Sequence, residues 1–243
     1  MKARCAFVFW FALGASVSLR AEGQAFASPA SWPPPPVAEV RIEEEMPLSR
    51  ALREHKQAHP ESFLPATRWC RAAGETRHRL AKAALLYALR QAPENSPPRR
   101  VAQWLEALPV CERTPHYRWD AEALEVRPWE DRRLAAGDRL VFFPRPQGIH
   151  WLAPDGTLLL AEFIPGKVLQ EYDWMATPRA QADHAWLVRP DGVRQRVGVA
   201  AWNENESRPR LMPGTLVLPE YGWWQASPVL PQLAAWLNGE VRW

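Results

Sequence analysis

The stretch AWLVRPDGVRQRVGVAAWNENESRPRLMPGTLVLP (residues 185–219) decides the fold. It opens on the apolar run Ala185 to Val188. Arg189-Pro190-Asp191-Gly192 follows, and Asp-Gly is a strong hairpin signal whose central positions favour φ > 0. The next run alternates, with Val193, Gln195, Val197 and Val199 on one side and Arg194 and Arg196 on the other. That is the period of a half-buried strand. After a polar loop, Leu211-Met212-Pro213-Gly214 turns the chain into a strand from Thr215 to Leu218, which Pro219 ends. The stretch predicts a hairpin, a decorated loop and a closing strand.

Working outward, Ile149–Leu152 and Leu158–Phe163 read as strands joined by a turn at Pro154-Asp155-Gly156, and Gly166–Tyr172 reads as a short helix. Strand, strand, helix and three more strands is the order of a β-grasp (ubiquitin-like) unit. A second copy is expected upstream. Leu134-Ala135-Ala136-Gly137 precedes an apolar strand and Pro144, as Leu211 to Gly214 precedes one and Pro219, the two glycines sitting 77 residues apart. Recurrence at such a spacing suggests duplicated small domains. The first unit would open with a strand at Val37–Ile42 and a helix from Pro47, and take in strands at Tyr117–Trp119, Leu124–Val126 and Arg139–Phe143. Between its strands lies a helical pair. Glu75 to Ala92 is rich in helix formers, and Val101, Trp104, Leu105 and Leu108 form an apolar stripe behind Pro97-Pro98. The fold class is therefore α+β: tandem β-grasp domains at 37–144 and 145–222, with a helical-hairpin insertion in the first at about 72–110. Pro228–Trp243 is expected to form a C-terminal amphipathic helix, packing on the body or docking to a partner.

The chain has 243 residues, 47% of them hydrophobic. Its 25 prolines are about twice the usual share and favour short strands and loops. Its 14 tryptophans either fill cores or stack on sugar rings. Residues 1–27 resemble a secretory signal: Lys2 and Arg4, an apolar stretch from Cys5 to Leu19 too short to span a bilayer, then Ala25-Phe26-Ala27. The Pro-rich lead-in 28–36 follows. Removing the leader lowers the formal charge from +3 to +1, which argues against a nucleic-acid partner. Two cysteines, Cys70 and Cys111, remain, and export favours a disulfide between them, clipping the base of the helical pair.

No catalytic constellation stands out. There is no Gly-x-Ser-x-Gly elbow, Pro165-Gly166-Lys167 is not a phosphate loop, and no His/Cys cluster has zinc spacing. His55 and His59 are expected on a solvated helix face rather than on a metal. Glu204 and Glu206 share one polar loop, where solvation is favoured over action on a glycosidic bond. No cofactor or metal is expected, and the mature chain carries no membrane span.

Val199-Ala200-Ala201-Trp202-Asn203, then Leu211-Met212-Pro213-Gly214, then Leu233 to Leu237 together resemble the capsule biosynthesis GfcC-like family, and Pro144-Arg145-Pro146 resembles its domain junction. The resemblance implies a periplasmic accessory protein of a Gram-negative bacterium, serving capsule or exopolysaccharide production. Its implied partners are polysaccharide or an outer-membrane polysaccharide export protein, with docking through the C-terminal helix as a further route. Arg145, Trp202 and Asn203 are the candidate ligand-binding residues. A guanidinium at the junction suits a carboxylate or phosphate, Trp202 suits a sugar face, and Asn203 suits hydroxyls. The alternative is that Arg145 braces the domains and Trp202 is core. A periplasmic enzyme modifying nascent polysaccharide at the same junction is the competing functional reading.

Overall fold

The structure, a computed structural model, describes residues 32–112, 119–172, 182–203, 209–224 and 229–239. The expected leader, most of the strand expected at Tyr117–Trp119, and both Glu204 and Glu206 lie outside the described residues. Helices and sheets are mixed along the chain, so the molecule is α+β.

The first unit is built on strands β1 (Ala38–Arg41), β2 (Met46–Pro47), β3 (Arg68–Cys70), β4 (Arg133–Leu134) and β5 (Arg139–Phe142). A three-stranded sheet has the order β1-β5-β3, and β2 pairs with β4. Alternation gives this sheet two faces. Trp69, Leu140 and Phe142 enter a core with Ile42, Leu48 and Leu52 of α1 (Leu48–Ala58). Glu39, Arg68 and Val141, which share a register row, face the other way. The strand expected at Leu124–Val126 is instead the end of helix α2 (Ala121–Val126). Asp120 caps that helix, accepting from the amides of Glu122 at 3.1 Å and Ala123 at 3.4 Å. A good N-cap and a run of Ala, Glu and Leu outweigh the β-preference of the single Val126.

The second sheet contains β6 (Gly148–Leu152), β7 (Leu158–Glu162), β8 (His184–Val188), β9 (Arg194–Gly198) and β10 (Leu216–Pro219) in the order β7-β6-β10-β8-β9. Its first and last strands are neighbours and run parallel, Leu216 opposite His150. The two Pro-Asp-Gly turns have one geometry. The Gly156 amide donates to Ala153 O at 2.9 Å and the Gly192 amide to Arg189 O at 3.1 Å. Only the glycines have positive φ, +86° and +85°. Each turn is thus a type I turn closed by a left-handed glycine, not the two-residue form expected, because proline holds the preceding position at negative φ.

The repeated Leu-x-x-Gly turn also keeps its shape. Gly137 and Gly214 have φ +89° and +85°, and the next amide returns to the residue three back in both, at 3.1 Å. The strand pairing it feeds differs. Ile42 exchanges bonds with Gly137 and Asp138, and β1 and β5 are antiparallel, whereas β6 and β10 are parallel. The first sheet thus departs from the strand arrangement of the second.

The helical pair is αA (Glu75–Arg90) and αB (Pro97–Ala107). Cys70 and Cys111 form a disulfide at its base. Although embedded in the sequence of the first unit, the pair buries Ala81, Leu85, Leu89, Val101 and Leu105 in one core with Ile149, Leu187, Val217 and the C-terminal helix (Val229–Leu237). That last helix buries Leu233, Ala234 and Trp236. The Trp236 indole donates to His78 O at 3.0 Å and stacks on its ring at 4.5 Å. The segment expected as a helix at Gly166–Tyr172 contains a 3-10 turn at Leu169–Glu171.

Candidate functional site

A cleft of about 450 Å³ lies where the lead-in, the first sheet and the end of αB meet. Its floor is the outward face of the sheet, with Glu39, Arg68 and Val141; its walls are Trp32 to Pro36 on one side and Trp104 to Cys111 on the other. Trp32 fixes one wall. It is buried, its indole donates to Gly214 O at 3.1 Å, and its ring lies 6.3 Å from that of Trp104. The hydrogen bond ties the lead-in to the turn before β10. A smaller recess continues from Trp32 and Arg68 to Pro146, Pro190 and Gly214 of the second unit.

The arginines of the cleft, Arg68 and Arg139, and the nearby-in-sequence Arg71 and Arg77, which do not line it, differ in their partners. Arg139 pairs with Glu39 at 2.9 Å. Arg71 and Arg77 both reach the buried Glu112 at 2.5 Å, which sits against Gly74 where a β-carbon would clash at 1.9 Å. Burial would raise the Glu112 pKa, but hydrogen bonds from Arg77 and Arg71 outweigh it and hold the carboxyl below its usual value. Arg68 has no such partner. Its guanidinium lies 5.2 Å from the Trp32 ring centre and 5.3 Å from that of Phe143, and among the described residues it has no carboxylate or hydrogen-bond acceptor. Burial pushes its pKa down to about 10, so it stays charged at neutral pH.

The residues singled out from sequence lie elsewhere. Arg145 is exposed and lies 5.6 Å from the Phe63 ring centre. Trp202 is 69% exposed, its indole 3.4 Å from Asp183 Oδ1 and its ring edge-on to His184 at 6.2 Å. It is not a core residue. Asn203 is 1% exposed. Its side-chain amide donates to Asp183 O at 2.9 Å, and its own backbone amide donates to Ala200 O at 3.0 Å. Gly198 makes room for it, since a β-carbon there would lie 2.5 Å from Asn203 O. Asn203 thus holds the loop that presents Trp202, and none of the three lines the cleft.

The histidine pair also differs from expectation. His55 is buried and stacked on Phe142, with Nε2 2.8 Å from Ser62 Oγ, while His59 pairs with Glu61. Sequence reading passed over Arg68 because an arginine in a short strand has the pattern of a solvated face. The available signal was its place in Thr67-Arg68-Trp69-Cys70, beside a lead-in that carries its own Trp.

No curated protein matches the chain. Among the described residues no helix is long and apolar enough to cross a membrane. The family model described as capsule biosynthesis GfcC C-terminal matches residues 159–241, which takes in β8 to β10, the Trp202–Asn203 loop and the final helix. That match supports a GfcC-like capsule biosynthesis family for this C-terminal part of the chain.

Proposed function

We propose that this protein is an exported, periplasmic accessory factor in capsule or exopolysaccharide production, which binds polysaccharide or a component of the export machinery rather than transforming it. The observation that carries this reading is the cleft between the lead-in, the first sheet and αB. Its volume of about 450 Å³ falls within the range typical of ligand pockets, and tryptophans line it. The half-buried Trp104, backed by the buried Trp32, offers a flat apolar face of the kind on which sugar rings stack. Arg145 and the exposed Trp202 are proposed as outer contacts, with Asn203 supporting Trp202.

The strand order of the second sheet supports reading 145–222 as a β-grasp domain, with 37–144 as its partner domain and 72–110 as the helical insertion that joins them. The leader-like residues 1–27 and the Cys70–Cys111 disulfide support export, because disulfides persist in oxidising compartments. An export lipoprotein or pore remains the protein partner in this reading.

The experiment is complementation of a deletion strain, with surface polysaccharide as the readout and cell fractionation to place the protein. Pro109 is exposed on the cleft wall, so Pro109→Trp narrows the cleft without entering a core. Wild-type protein should restore output, and folded Pro109→Trp protein should not. Full output from that variant would overturn the cleft as the working site.

A further inference from the structure

We infer that the cleft recognises a carboxylate-bearing sugar residue, with Arg68 as the group that takes the carboxylate. This inference rests on the polysaccharide-binding reading above and names its ligand class.

Among the described residues the half-buried guanidinium of Arg68 has no carboxylate partner. Moving a guanidinium from water into an apolar setting is unfavourable unless it is paired. Arg71, Arg77 and Arg139 each meet a carboxylate. Arg68 is half-buried and meets two aromatic rings, and cation–π contact offsets only part of the hydration it has lost. Rings occupy the faces of a guanidinium and leave its five N–H donors in the plane. Among the described residues those donors have no acceptor.

Arg68 is also placed to meet a ligand. Arg68 lies on the floor of the large cleft and also borders the recess reaching Pro146 and Gly214. A ligand entering between the lead-in and αB therefore meets this guanidinium. The fork geometry matches a carboxylate bidentately. Above the buried Trp32 and Phe143 stand the half-buried Trp104 and a run of prolines, which suit the C–H faces of a pyranose. One uncompensated positive charge suits a monoanion. A phosphate dianion would bring a second negative charge towards a site whose other floor cation, Arg139, is already held by Glu39. These features together select an acidic hexose over a neutral or phosphorylated one.

The test is calorimetric titration of the purified mature protein at fixed ionic strength. The probes are an oligogalacturonate, its methyl ester as a matched neutral ligand, and a sugar phosphate. The acid should bind at least about tenfold more tightly than the ester, a difference one desolvated charge-assisted pair readily supplies. Arg68→Gln should abolish that preference, bringing the acid's affinity to that of the ester. The wild-type comparison stands even where the variant fails to fold. Equal binding of acid and ester would overturn the carboxylate inference and leave glycan binding in place. Tighter binding of the sugar phosphate would overturn it too, as would retention of the acid preference by folded Arg68→Gln protein. Failure of every probe would overturn it, and the broader reading would then be judged separately by the polysaccharide output of the Pro109→Trp strain.

Discussion

Asp138 is the residue on which the first unit closes. It is buried, and its two carboxylate oxygens accept from the Trp69 indole at 2.8 Å and the amides of Ala72 and Ala135 at 3.0 Å. Asp138→Ala would strand three donors from three segments. A loss of about 2–4 kcal/mol is expected, since each unsatisfied buried group costs about 1–3 kcal/mol before relaxation; the shift in denaturant midpoint checks it. His78 makes a different prediction. Burial lowers its pKa from 6.5 to about 4; the Glu112 carboxylate opposes that fall, and Arg68, Lys82 and Arg77 add to it. The folded state therefore keeps His78 neutral where the unfolded chain would protonate it. Its contribution to stability is full above about pH 6.5 and is lost as pH falls towards 4, by on the order of 3 kcal/mol. His78→Phe keeps a ring against Trp236 and should flatten the pH dependence of unfolding in that window. An unchanged pH profile in the variant would show that other groups govern the acid limb.

At the scale of elements, the disulfide and the helical pair belong together. Cys70 and Cys111 are separated by 41 positions, and closing a loop of that length stabilises by about 3–4 kcal/mol in the chain-entropy model. Replacing both cysteines by alanine should lower the unfolding midpoint accordingly, and reductant should bring the wild type to the same value. Lys82 adds a second tie, its ammonium donating to Glu106 O at 2.9 Å and to Leu108 O at 2.5 Å. The first helix of this pair was legible from its helix-forming residues and the second from its apolar stripe, and the disulfide was legible from cysteine count and position. The short helix at Ala121–Val126 was not, because six residues show too little of a period and only the Asp120 cap distinguishes it.

At the scale of the whole molecule, two units share one support. The helical pair lies within the first unit's sequence but packs in the second unit's core, against the final helix. That helix buries Val229, Leu230, Leu233, Ala234, Trp236 and Leu237. At about 1.5–3 kcal/mol for each larger apolar side chain, its burial rivals the whole stability margin of about 5–15 kcal/mol for a typical domain. Deleting residues 228–243 should therefore abolish cooperative thermal unfolding and expose dye-binding surface. An unchanged melting transition would mean that the helix does not support the body and is free to dock elsewhere. The sequence by itself determined what depends on neighbours along the chain. Periodicity marked most strands and the longer helices, Pro-Asp-Gly marked two turns, and the Gly of Leu-x-x-Gly marked the bend before each closing strand. Only the tertiary structure decided which surfaces meet. Strand direction in the first sheet, the transfer of the helical pair to the second core and the isolation of Arg68 between Trp32 and Phe143 all join residues distant in sequence. Such contacts leave no local period, because burial and charge pairing are set by what the folded chain brings alongside.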